Sequence, residues 1–155
     1  MRKEEYFAGG CFWGLVAKYQ CVQGVLETQV GYSGGTTKEP TYRQVCQDTT
    51  GHAETVKVVF DTDVISFQQL LELFFSYHDP TTCCSQGLDF GSQYRSVVFY
   101  TSQEEKETIE QVIAFLEVSG AFDRPVVTQL IMLESFYPAE EYHQNYYRKH
   151  GVSVC

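Results

Sequence analysis

The chain has 155 residues, 43% of them apolar and 15% aromatic, and a formal charge of −9 at pH 7. That length supports one domain with its own core and no disulfide staples, and that charge argues against a phosphate-binding surface or a nucleic-acid partner. Met1-Arg2-Lys3 runs into two glutamates with no apolar leader segment, and no apolar run is long enough to span a bilayer, so a cytoplasmic protein with no membrane partner is expected.

Residues 4–8 read as a short strand, and residues 15–19 have the composition of a helix. Between them stands Gly9-Gly10-Cys11-Phe12-Trp13-Gly14. Cys11 therefore falls at a strand-to-helix turn, at or near the first helical residue, where free backbone N–H groups and the helix dipole favour an anion. The expectation is a thiol with a lowered pKa and raised nucleophilicity. The glycines are expected to let another molecule approach the backbone closely.

Gly24 marks a turn, residues 25–31 read as a strand, and residues 33–45 as a long polar loop of the kind that carries function. Val56, Val58 and Phe60 alternate in a strand over residues 54–60. Ser66 and Gln69 form a capping box ahead of Phe67, Leu70, Leu71 and Phe74, and that helix should end near His78-Asp79-Pro80. A second long loop spans residues 81–93, followed by a strand over residues 95–100. Ser102 and Glu105 form another capping box, Ile109, Val112, Ile113 and Leu116 line one helical face, and Gly120 stops that helix. Residues 126–133 read as a strand, and Pro138 is placed to open a last helix through Lys149. The order β-α-β-β-α-β-α-β-α predicts an α+β two-layer sandwich: a mixed β-sheet with helices packed on it, a ferredoxin-like core and long irregular loops. Residues 1–155 are expected to form a single catalytic domain, with 151–155 a flexible carboxy-terminal tail.

Six cysteines (Cys11, Cys21, Cys46, Cys83, Cys84 and Cys155) need a reason. A disulfide framework suits shorter secreted chains, and the paired spacing of a zinc site is lacking, so no metal is expected and catalytic redox chemistry remains. Glu54 stands at the entry to an apolar strand, Tyr42 in a turn, and Asp89 and Tyr94 together just before another strand.

Gly-Cys-Phe-Trp-Gly resembles the active-site signature of the class A peptide methionine sulfoxide reductases. Gly31-Tyr32-Ser33-Gly34-Gly35, Pro40-Thr41-Tyr42, Val45-Cys46, Gly51-His52-Ala53-Glu54, His78-Asp79-Pro80, Gln93-Tyr94-Arg95-Ser96 and Tyr142-His143-Gln144 resemble further family blocks, in the family order. The resemblance implies reduction of methionine S-sulfoxide, free or in proteins, as repair of oxidative damage. In it Cys11 matches the nucleophile, Glu54 the acid, Tyr42 and Tyr94 the hydroxyls that hold the sulfoxide oxygen, and Phe12 and Trp13 the wall for the substrate methyl. Asp89 matches a supporting polar residue, and Cys155 the thiol that resolves the Cys11 sulfenic acid. Thioredoxin or a similar dithiol protein is the implied electron donor, with neither metal nor organic cofactor. The chain departs from the pattern at Leu88, where an asparagine is usual, and at Cys83 and Cys84, either of which could compete to resolve Cys11. Cys21 and Cys46 are expected to serve packing. Two rivals remain: a metal module built on His52, Glu54, His78, Asp79, Cys83 and Cys84, and a redox-sensing or peroxide-reducing thiol protein using the same Cys11.

Overall fold

A computed structural model describes residues 1–152. In chain order the elements are β1 (Arg2–Ala8), α1 (Phe12–Gln20), β2 (Val25–Ser33), α2 (Tyr42–Cys46), β3 (Ala53–Asp61), α3 (Phe67–Tyr77), β4 (Ser85–Gln86), β5 (Asp89–Phe90), β6 (Val97–Tyr100), α4 (Gln103–Val118), β7 (Gln129–Met132), β8 (Tyr137–Pro138) and α5 (Tyr146–Lys149). Single 3-10 turns stand at Ser92–Tyr94 and Glu141–His143.

Successive strand residues face opposite sides of a sheet, and the burial pattern follows that period. Phe7, Val30, Val56, Val58, Phe60 and Val98 face one side, where Leu15, Val16 and Tyr19 of α1, Leu70, Leu71 and Phe74 of α3, and Ile109 and Val112 of α4 close over them. Tyr6, Ala8, Ala53, Val97 and Phe99 face the other side, covered by Ile131, Leu133 and Phe136. Each fully buried Phe or Leu of the first cluster contributes roughly 1.5–3 kcal/mol of transfer free energy. The sheet has six strands in the order β7-β6-β1-β3-β2-β8. Its β6–β7 pairing is parallel and the others are antiparallel. This is the expected α+β arrangement, a mixed sheet with helices packed on it.

Three local expectations change. The loop over residues 33–45 contains the start of α2, which forms because Thr41 accepts from the Gln44 N–H while the Gln44 side chain accepts from the Thr41 N–H. Of its five residues one, Val45, is buried, so no apolar stripe marks it in the sequence. Pro138 opens no helix. It pairs with Gly31 in edge strand β8, where a residue without an N–H is tolerated, and a left-handed Asn145 (φ 56°) leaves the following segment as a 3-10 turn and the four-residue α5. Ser102 caps α4 by accepting from the Glu105 N–H, but the Glu105 carboxylate bonds Thr101 rather than completing the box.

That carboxylate is occupied because Lys3 also reaches it, at 3.1 Å, and reaches Glu5 at 3.4 Å. Glu5 is 1% exposed, on the helix side of β1. Burial first, then the neighbouring Glu105, push its pKa up to about 9, against the pull of Lys3. A group that takes up a proton on folding weakens the fold as pH rises from its unfolded pKa towards its folded one. Glu5→Gln removes that proton uptake. The variant should melt above the parent at pH 8 and near it at pH 5, with stability diverging by up to about 1.4 kcal/mol per pH unit between. Thermal melts across that range measure it.

Candidate active site

Glu54 is the second residue of β3, and the two-residue period that buries Val56, Val58 and Phe60 beneath the helices buries Glu54 too, at 0% exposure. One carboxyl oxygen, Oε1, accepts the Phe12 N–H at 3.1 Å. Phe12 is the first residue of α1, and its N–H is one of the donors a helix start leaves unpaired. The other oxygen, Oε2, is buried without a hydrogen-bond partner among the described residues. Burial raises the Glu54 pKa to about 8, resisted by the Phe12 N–H and helped slightly by the charge of Asp89. Glu54 is therefore a protonated acid at neutral pH.

Cys11 is the N-cap of α1 and half-buried. Its sequence position predicted a lowered pKa, and the structure reverses that. Burial pushes the thiol up to about 12, and the charges of Glu54 and Asp89 add to the rise. The N–H groups of Trp13 and Gly14 pull the other way, as a helix start should, but they do not win. Desolvating an anion outweighs two hydrogen bonds to it. The two glycines also serve differently from expectation. A Cβ on Gly9 would lie 2.8 Å from the His78 ring, and Gly10 has φ 79° with Gln86 3.3 Å from its would-be Cβ. The close approach is by the chain itself, and it locks the turn that aims Cys11.

Phe12 and Trp13 stand in an aromatic wall. Phe12 packs 5.8 Å from Tyr32 and 6.2 Å from Tyr42, ring centre to ring centre, and Trp13 lies 6.2 Å from Tyr42. Trp13 stacks at 3.8 Å on Tyr146 and donates from Nε1 to Nδ1 of His143 at 3.0 Å. Burial lowers the His143 pKa, so the ring is neutral and its proton sits on Nε2, a buried donor with no partner among the described residues. Tyr42 is placed by α2 and by its N–H donating to Glu140 at 3.0 Å, while the Tyr32 hydroxyl donates to the other oxygen of Glu140 at 2.9 Å. Tyr42 is held well above its ordinary pKa by burial, then by the Cys46 thiol beside it and the Glu54 charge. Tyr94 is raised likewise, by burial and then by Glu54. Both hydroxyls remain donors at any working pH. Asp89, in β5, lies near enough for its charge to act on Cys11, Glu54 and Tyr94.

The fold thus brings Cys11, Phe12, Trp13, Tyr42, Glu54, Asp89 and Tyr94 to one place, while Cys155 lies outside the described residues. The sequence reading missed Tyr32, Glu140, His143 and Tyr146. Tyr142-His143-Gln144 stood out as a block, but nothing in it signalled that His143 would fix the Trp13 ring. Cys46, expected to pack, is exposed beside Tyr42, and Cys21 is exposed at the end of α1 with its sulfur 3.3 Å from the Ala17 carbonyl. The two histidines of the metal reading are otherwise engaged. Both ring nitrogens of His52 bond the residue 35–37 loop, and those of His78 bond Phe74 and Ser96.

The peptide methionine sulfoxide reductase family model matches residues 3–155. The chain belongs to that family. The peptide methionine sulfoxide reductase MsrA of Methanosarcina mazei is 52% identical over 145 residues, covering 94% of this chain and 69% of that protein. Among solved structures, reduced Mxr1 from Saccharomyces cerevisiae superposes with a TM-score of 0.90 at 31% identity, over 99% of this chain and 88% of that one. Mxr1 has also been solved in complex with Trx2, and that structure matches with a TM-score of 0.65 at 23% identity, over 94% of this chain and 84% of that one. The chain is accordingly a methionine sulfoxide reductase, an oxidoreductase whose described residues include no helix long and apolar enough to cross a membrane.

In this reductase the free thiol should react slowly. Alkylation of Cys11 by iodoacetamide, followed on its own peptide by mass spectrometry, should still be rising at pH 9. Glu54→Gln removes a repelling charge and should move that profile to lower pH. A plateau already reached by pH 7 in the parent would contradict the raised pKa.

Proposed function

We propose that the site reduces the S epimer of methionine sulfoxide, free or in proteins, through a Cys11 sulfenic acid. The observation that carries this is the buried Glu54 carboxyl, bonded through one oxygen to the helix that Cys11 begins and protonated at neutral pH. Sulfoxide sulfur is a poor electrophile until its oxygen is protonated or strongly hydrogen-bonded. Glu54 donates that proton, and the Tyr42 and Tyr94 hydroxyls hold the oxygen as charge develops on it. The S–O dipole turns its positive end towards Cys11, which favours thiolate formation in the complex although burial opposes it in the free protein. The Cys11 sulfur takes the oxygen, methionine leaves, and a sulfenic acid remains. Phe12 and Trp13 pack the substrate methyl, so one epimer directs its oxygen at Glu54 and the other turns it away. A peroxide-reducing site would have no use for that wall.

Cys155 then attacks the sulfenic acid, giving a Cys11–Cys155 disulfide and water, and a thioredoxin-type dithiol reduces the disulfide. The family match over residues 3–155 and the Mxr1–Trx2 complex support this recycling.

Cys11→Ser should abolish turnover of the S epimer. Glu54→Gln should slow the single-turnover step by about 10²–10⁴-fold. In the parent that step should fall as pH rises through about 8, where Glu54 loses its proton, and the variant should lack this descending limb. Rapid-quench measurements from pH 6 to pH 9.5 provide the comparison. Cys155→Ser should still release about one methionine per enzyme yet stall with thioredoxin, which reaches a recessed sulfenic acid poorly. Full thioredoxin-driven turnover of that variant would assign resolution to another thiol.

A further inference from the structure

Cys83 and Cys84 have no part in that scheme. They are adjacent in the chain, free and exposed, and their sulfurs are 2.8 Å apart. Neighbouring side chains in extended backbone point to opposite sides, so a specific turn is needed to bring two such thiols together. That turn is braced. The Gly91 N–H donates to the Cys84 carbonyl at 2.9 Å, the Thr82 hydroxyl donates to the Ser85 carbonyl, and the Gln86 amide bonds both the N–H and the carbonyl of Asp79. The hydrogen bond to Cys83 pushes the Cys84 thiol up, and the positive charge of Arg95 opposes the rise.

The pair also adjoins the catalytic turn. Directly after Cys84 the chain forms the β4–β5 hairpin, whose Gln86 lies against Gly10 and whose Asp89 acts on Cys11. That hairpin is pinned by two residue pairs, Ser85 with Phe90 and Gln86 with Asp89, and its tip residue Leu88 is 95% exposed. A movement of the thiols towards Cys11 carries the braced turn with it or breaks the bonds from Gly91, Thr82 and Gln86.

We propose that Cys83 and Cys84 form a redox-active vicinal dithiol that takes over the oxidation generated at Cys11 and holds it as a surface disulfide for an external dithiol to reduce. The proposal rests on the reading of Cys11 given above. One thiolate of the pair attacks the Cys11 sulfur. Cys11 is by then joined to its resolving thiol, and their S–S bond breaks as that thiolate leaves. The second thiolate of the pair then attacks its neighbour's sulfur, forming the Cys83–Cys84 disulfide and releasing Cys11 as a thiolate. A dithiol donor reduces the new disulfide and leaves oxidised. Each cycle moves two electrons from the donor to one sulfoxide.

The test counts electrons. Fully reduced protein is given excess methionine S-sulfoxide without reductant, and the methionine released per enzyme is measured at the plateau. Each dithiol that serves Cys11 adds about one methionine to that count, whichever sulfur holds the oxidation at a given moment. The parent should release about one methionine more than the Cys83→Ser/Cys84→Ser double variant. Mass spectrometry of the exhausted parent should find Cys83 joined to Cys84. Equal plateaus, or Cys83 and Cys84 still reduced in the exhausted parent, would overturn the dithiol, and the second readout needs no variant. Methionine released equally by both proteins would leave the Cys11 reading standing, whereas no methionine from either would overturn both.

Discussion

One hydrogen bond, from the Phe12 N–H to the Glu54 carboxyl, holds the site together. A helix start leaves N–H donors without partners, and a carboxyl on the core face of a strand lacks water. Each answers the other's deficit, and the bond fixes the start of α1 against the middle of the sheet. It leaves Oε2 unanswered in the interior. A buried, half-satisfied carboxyl keeps its proton against the pull of that N–H, so the residue that anchors the helix is also the acid.

Cys11 and Glu54 are then two acids whose ionisations oppose each other. Glu54 is buried and Cys11 half-buried, and a charge on Glu54 raises the Cys11 pKa. At neutral pH the free protein holds both in neutral form. A thiol in that state resists indiscriminate alkylation and oxidation, and in the mechanism proposed above reactivity arrives with a substrate whose dipole favours the thiolate and whose oxygen accepts the proton. The helix N-terminus still contributes through Trp13 and Gly14, but it modulates a balance that desolvation sets.

The far side of the site is built by chain remote from Cys11. Glu140 ties Tyr32 of β2 to Tyr42 of α2, and His143 and Tyr146 clamp the Trp13 ring from two sides. Gln144 anchors this segment by accepting from the Val30 N–H and donating to the Val30 and Ala139 carbonyls, standing in for a strand at the edge of β2. An aromatic wall without these anchors could turn its rings, and the epimer distinction proposed above needs them to stay in place.

Periodicity and capping chemistry are local, and so the sequence alone determined the main strands, the helices capped by Ser66 and Ser102, and the mixed α+β architecture. Short motifs with little positional freedom likewise marked Cys11, Phe12, Trp13, Tyr42, Glu54, Asp89 and Tyr94, together with the family. Tertiary structure alone decided what depends on burial and on pairs distant in the chain. It turned the expected thiolate at Cys11 into a protonated thiol, because desolvation energy is a property of surroundings that a helix-start motif does not contain. It made Pro138 an edge-strand residue rather than a helix opener, because pairing with Gly31 across more than a hundred residues outweighed a local preference. It also recruited Glu140 and His143, whose roles exist through partners that no local window of sequence includes.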